Sequence, residues 1–173
     1  MGHFADTFRV KINAETCQVR LSVRSDDKRV DEHLLDIRDF KVAIQVSDVN
    51  IAAGNYGKAM RWAEKAITSS KSGEAYGQRG NVYYKAFQEC RTADISDDDR
   101  IIASLAHQSF VKAEENDYRR FHNSMLWLEE NEVLFGRTHW FMLDPKMQKL
   151  GYVKPDTECY NWVEKKLDKD PNW

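Results

Sequence analysis

The stretch "GNYGKAMRWAEKAITSSKSGEAYGQRGNVYYKA", residues 54–86, decides the fold. Ala59, Ala63 and Ala66 recur at intervals of four and three, which places them on one face of a helix, with Tyr56 just ahead. The small and polar residues of "TSSKSG" (68–73) then mark a turn. After it, Tyr76, Gly80 and Tyr83 repeat the same two intervals on a second helix. Side chains this small at the contact positions let one helix approach another closely.

Outward from there the helical pattern runs from about residue 30 to 134. "VDEHLLDIRDFKVAIQVSDVNIAAG" (30–54) carries apolar residues at helical intervals and stops at Gly54, a C-terminal cap signal. The pattern predicts further helices over 55–70, 74–90, 96–115 and 117–134. In "SDDDRIIASLAHQSFVKAEE" (96–115), Ser96 reads as an N-cap, with Asp97, Asp98 and Asp99 at the positive end of the helix dipole. The cluster can also be read as a calcium or magnesium site, but first-turn stabilisers are the expectation, since an EF-hand needs spaced ligands and a glycine at its tight turn.

The two ends read differently. In residues 1–26, Phe8, Val10 and Ile12, then Cys17, Val19, Leu21 and Val23, alternate with polar residues about "NAET", which predicts a β-hairpin. Phe4, Phe8 and Ile12 also fit a single helix, so the segment is a hairpin, an extended stretch or a helix. At the other end, "PDTECYNWVEKKL" (155–167) predicts a capping helix with Pro155 at its start and lysines at its end. A shorter helix is expected over 145–150. Trp140, Phe141, Met142, Tyr152, Tyr160 and Trp162 are expected to fold back on the last helices or to form an exposed partner-binding patch.

These spacings resemble the tetratricopeptide repeat, a helix-turn-helix unit of about 34 residues. Gly80, Ala59 and Ala66 match its small positions, where paired helices come closest, and Tyr76 and Tyr83 match aromatic ones. "AHQSFVKA" supplies a second copy of the trailing helix, with Ala106, Phe110 and Ala113 at the same intervals as Ala59, Ala63 and Ala66. The 47 residues from Ala66 to Ala113 exceed one unit by roughly 13, which the spacing assigns to an insertion around "FQECRTADISDDD". The leading helix of the first unit departs from the pattern, with Ala43, Ser47 and Asn50 at its key positions, and no proline ends either trailing helix. The resemblance covers residues 38–115 and is close only over 54–86.

The expected fold is therefore mainly α: an antiparallel, tetratricopeptide-like array with an N-terminal hairpin or extended segment and a C-terminal capping helix. A single domain is expected over 1–173, divided into 1–29, the array over 30–134 and an aromatic-rich capping tail over 135–173. Length permits this, since 173 residues suffice for one core. The composition, 42% hydrophobic and 31% charged, is that of a globular, water-soluble chain, and no apolar run reaches membrane-spanning length. The net charge of −2 gives no general electrostatic case for nucleic acid or an anionic membrane, although a local basic patch is compatible with it. "MGHFADTFRVKIN" lacks the features of a signal peptide. Cys17, Cys90 and Cys159, scattered and odd in number, are expected to be reduced, in a cytoplasmic setting.

No catalytic motif emerges. None of the five histidines, His3, His33, His107, His122 and His139, has zinc or di-iron ligand spacing. There is no GxGxxG, Walker or GxSxG pattern, and nothing near Cys90 would serve as its base. No cofactor or metal is expected. The resemblance instead implies a non-catalytic scaffold that binds a protein or peptide in a groove lined by leading helices, at Gln45, Asp48, Gln78, Asn81, Tyr84 and Lys85. In that groove, amides and Lys85 would give polar specificity and Tyr84 an anchor. Clamping of a C-terminal carboxylate is disfavoured, because Ile44, Gly77 and Asp48 stand where basic and amide residues would be needed. Two other readings are an accessory subunit of a larger assembly, held by its hairpin edge and aromatic tail, and a small helical enzyme using His107 and His122.

Overall fold

A computed structural model describes residues 9–13, 18–22 and 31–173, with side chains from Asp39 onward. The chain divides into two units, 1–35 and 36–173. In the first, β1 (Arg9–Asn13) and β2 (Gln18–Ser22) pair antiparallel, with Val10 opposite Leu21 and Ile12 opposite Val19. These are the alternating apolar positions that predict a hairpin. Phe4, Phe8, Cys17, Val23 and the turn between the strands lie outside the described residues, as do His3 and the side chain of His33.

The second unit is mainly helical. Its elements are α1 (Asp31–Ala52, which begins in the first unit), α2 (Tyr56–Ser69), α3 (Gly73–Cys90), α4 (Asp97–Glu114) and α5 (His122–Glu130). Two short helices follow, α6 (Arg137–Met142) and α7 (Pro145–Gln148). The chain closes with β3 (Tyr152–Val153), a 3-10 turn (Glu158–Tyr160) and β4 (Leu167–Asp168), which pairs antiparallel with β3.

Helix ends obey local chemistry. Gly54 takes φ +69°, and the N–H groups of Gly54 and Asn55 return to Ile51 and Asn50 carbonyls, a Schellman-type stop for α1. Ser72 caps α3 by accepting the Ala75 N–H. Ser96 and Asp99 form a reciprocal capping box at α4, the Ser96 hydroxyl accepting the Asp99 N–H at 3.1 Å and the Asp99 carboxylate accepting the Ser96 N–H at 2.9 Å.

Small residues set the packing. Ala59, Ala63 and Ala66 are fully buried on α2. Against α3, α4 lies antiparallel and close: a Cβ built on Gly80 would sit 2.5 Å from the Phe110 ring and 3.2 Å from the Ala106 carbonyl oxygen. In the preceding hairpin, Ser47 of α1 is buried and donates to the Ala59 carbonyl at 2.9 Å. Thus Ser47 lies on Ala59 as Gly80 lies on Ala106. The extra residues of the second hairpin do not form a separate insertion. They lengthen α3 to Cys90, start α4 at Asp97 and leave a short turn between them, so Gly80 and Ala106 still face each other.

Two helices predicted from periodicity are corrected. Instead of one helix over 117–134, Asp117 adopts φ +59° and the Tyr118 N–H turns back to the Ala113 carbonyl, which delays α5 to His122. Tyr118 and Phe121 then cover Gly77 of α3, where a Cβ would meet Tyr118 at 2.9 Å. The capping helix expected over 155–167 is only the 3-10 turn, because tertiary partners claim its residues. One Asp98 carboxylate oxygen accepts the Asp156 and Thr157 N–H groups at 3.1 and 2.9 Å. The Tyr160 hydroxyl donates to Asp99 at 2.6 Å, and Leu167 is drawn into pairing with Val153. The tail nonetheless caps the helices: Trp140, Tyr160, Val163 and Leu167 join Phe87, Ile102, Leu105 and Leu128 in one core.

Candidate functional site

On α3 a polar stripe runs through the half-buried Glu74 and Asn81 and the exposed Lys85 and Gln88, whose spacing puts them on one side of the helix. Beside it, α1 exposes Lys41, Gln45 and Asp48. Two cross-links hold these helices in register: Lys41 with Glu74 at 2.5 Å, and Gln78 with α1. On the other flank of α3, Tyr118 and Phe121 lead into α5.

The six groove residues divide within this frame. Gln45, Asp48 and Lys85 are exposed, and Asn81 is half-buried between them. Gln78 is only 4% exposed. Its amide donates to Asp48 at 2.7 Å and to the Ser47 hydroxyl at 3.1 Å, so it positions Asp48 and has no amide N–H aimed at solvent. Tyr84 packs edge-on against Phe110 and Trp127, which makes it a spacer between α3 and α5. Lys85 reaches only Gln88 of its own helix, at 3.0 Å. Arg120 stands beyond Tyr118; a hydrogen bond to that phenol, followed by its charge, raises the guanidinium further above its usual range.

The opposite side of α3 carries the concave surface that residue patterns did not reveal. Trp162 stacks on Tyr56 of α2 and Tyr83 of α3, with ring centroids 6.2 and 5.9 Å apart. Clefts of about 600 and 540 Å³ open beside it and share Gly57, Arg61 and Trp162. Their charged lining is mixed: Lys58, Arg61 and Lys165 against Glu64, Glu89 and Glu164. Burial, then the nearby Arg79 charge, lowers the Lys165 ammonium below the usual lysine range. Burial pushes the Tyr83 phenol well up.

Cys90 and Cys159 border the second cleft and are joined by a disulfide, with Cα atoms 6.2 Å apart. This corrects the expectation of reduced cysteines. The pairing joins the end of α3 to the 3-10 turn across 69 residues and is invisible to local spacing.

His107 and His122 do not share a site. His107 pairs with Glu129 at 2.5 Å and His122 with Glu114 at 2.7 Å. The α4 members of these pairs, His107 and Glu114, stand about 10 Å apart along the helix axis, so the pairs are separate clasps between α4 and α5. Among the described residues, no group of three or more His, Cys, Asp or Glu side chains is placed to hold a metal. No described helix is long and apolar enough to cross a membrane.

No protein-family model, curated protein or solved structure matches the chain.

Proposed function

We propose that residues 36–173 form a non-catalytic interaction scaffold that holds a protein or peptide segment along the face shared by α1 and α3. The equivalence of the Ser47–Ala59 and Gly80–Ala106 contacts carries this reading. It supports α1–α2 and α3–α4 as two degenerate tetratricopeptide-like units, each with a small residue of its leading helix on a carbonyl of its trailing helix. In such a stack the leading helices supply the binding face. Here Gln45, Asp48, Asn81 and Lys85 offer amide, carboxylate and ammonium groups on a surface fixed by Gln78. A segment lying across them gains polar specificity, with Asp48 already oriented by its hydrogen bond from Gln78.

The disulfide favours an oxidising compartment over the cytoplasm, since thiol reductants keep such pairs open there. The test of the scaffold reading is recovery of partners by the full chain and by a Gln45→Arg/Lys85→Glu variant from lysate of the source organism. The expected result is at least a tenfold loss of a specific partner, about 1.4 kcal/mol, at unchanged melting temperature. Equal recovery by both would overturn the proposal.

A further inference from the structure

Away from that face, the corner made by α6 and α7 combines exposed apolar groups with free cations. Among the described residues, four of the five large apolar side chains that remain exposed lie within ten residues: Phe141 (54%), Met142 (82%), Met147 (41%) and Leu150 (51%). The corner is fixed. The Gln148 amide donates to the Phe141 and Leu143 carbonyls at 3.3 and 2.9 Å, and the Asp144 carboxylate caps α7 through the Lys146 N–H at 2.7 Å.

Its charge opposes that of the chain. Residues 135–155 contain Arg137, Lys146, Lys149 and Lys154 against the single acid Asp144, in a chain of net charge −2. No ion pair among the described residues engages any of these four cations. The Arg137 guanidinium instead lies 5.6 Å over the Phe141 ring.

We propose that this corner docks on an anionic lipid surface, with Phe141, Met142, Met147 and Leu150 entering the headgroup–acyl boundary and the four cations meeting lipid phosphates and carboxylates. Two features select lipid over an acidic peptide. Lysine stems can lie along apolar surface while their ammonium groups stay at headgroup level. Gln148 also satisfies carbonyls that the end of α6 would otherwise bring unpaired into a medium poor in water. The association is peripheral.

The test is co-sedimentation of the full chain with vesicles of phosphatidylcholine alone and with about one-third phosphatidylserine. Binding is expected only to the anionic vesicles, and weaker as ionic strength rises from about 0.1 M to about 1 M and the Debye length contracts. Each cation near the surface contributes about fivefold to partitioning. A Lys146→Glu/Lys149→Glu variant and, separately, a Phe141→Ser/Met142→Asp variant should each lose at least tenfold at unchanged melting temperature. Absence of binding, equal binding to both vesicle types, or binding that either variant leaves intact would overturn the proposal. So would a dimer in sedimentation equilibrium that the same substitutions dissociate, because a second copy would then be what covers the corner.

Discussion

Gly80 shows how a single hydrogen atom sets the distance between two helices. Alanine in its place would gain up to about 1 kcal/mol of intrinsic helix propensity. Its methyl would also press on the Phe110 ring, which is 1% exposed. Gly80→Ala is therefore expected to destabilise by about 1–3 kcal/mol, read as a lower denaturant midpoint; a rise would contradict the close α3–α4 packing. Tyr160 offers a second test at this scale. Burial, then its hydrogen bond to Asp99, raises its pKa well above the tyrosine range, and burial does the same for Tyr83. The unfolded chain ionises both near pH 10 while the fold keeps them protonated, so stability is fully present below about pH 10 and falls above it. Melting curves across that range should show the loss, and Tyr160→Phe should reduce its steepness while costing about 1–3 kcal/mol at neutral pH. The alanine spacing was legible because a helix face is a local property. The burial of Gln78 was not, since its partners Ser47 and Asp48 lie some 30 positions away and meet it only when α1 packs on α3.

Among the elements, α1 to α4 follow their periodicity because caps and stops written into adjacent residues reinforce it: Gly54, Ser72 and Ser96 each act on their own helix. The tail departs from its local pattern because its hydrogen bonds are long-range. The three aspartates at the start of α4, read from sequence as dipole stabilisers, include two that also receive the tail, Asp98 through backbone N–H groups and Asp99 through Tyr160. The Cys90–Cys159 bond fastens the same segment and limits the unfolded chain's freedom over 69 residues. Its loss is expected to cost about 2–4 kcal/mol. A reductant, or Cys90→Ser with Cys159→Ser, should lower the melting temperature and alter Trp162 fluorescence, because the Tyr56–Trp162–Tyr83 stack adjoins the bond. An unchanged melting curve would show that the tail is held by Asp98, Asp99 and the core alone.

At the scale of the molecule, residues 36–173 distribute different work over different faces. One side of α3 is polar and supported by α1, the other packs on Trp162 of the returning tail beside two clefts, and the α6–α7 corner is apolar and cationic. Mainly helical architecture was legible, since α2 is strongly amphipathic and α3 and α4 carry small residues over several turns. Of the residues proposed for the candidate face, Gln45, Asp48 and Lys85 are exposed and Asn81 is half-buried. The bordering roles of Gln78 and Tyr84 depend on which helices flank α3, which periodicity alone does not encode. The most direct measurement of the scaffold claim is site-specific photo-crosslinking in native lysate from position 45, position 85 and, as a control, Lys65 on the exposed surface of α2. Crosslinks to one shared partner from 45 and 85, absent from 65, are the predicted result. Crosslinks from 65 alone, or none from 45 and 85, would contradict it.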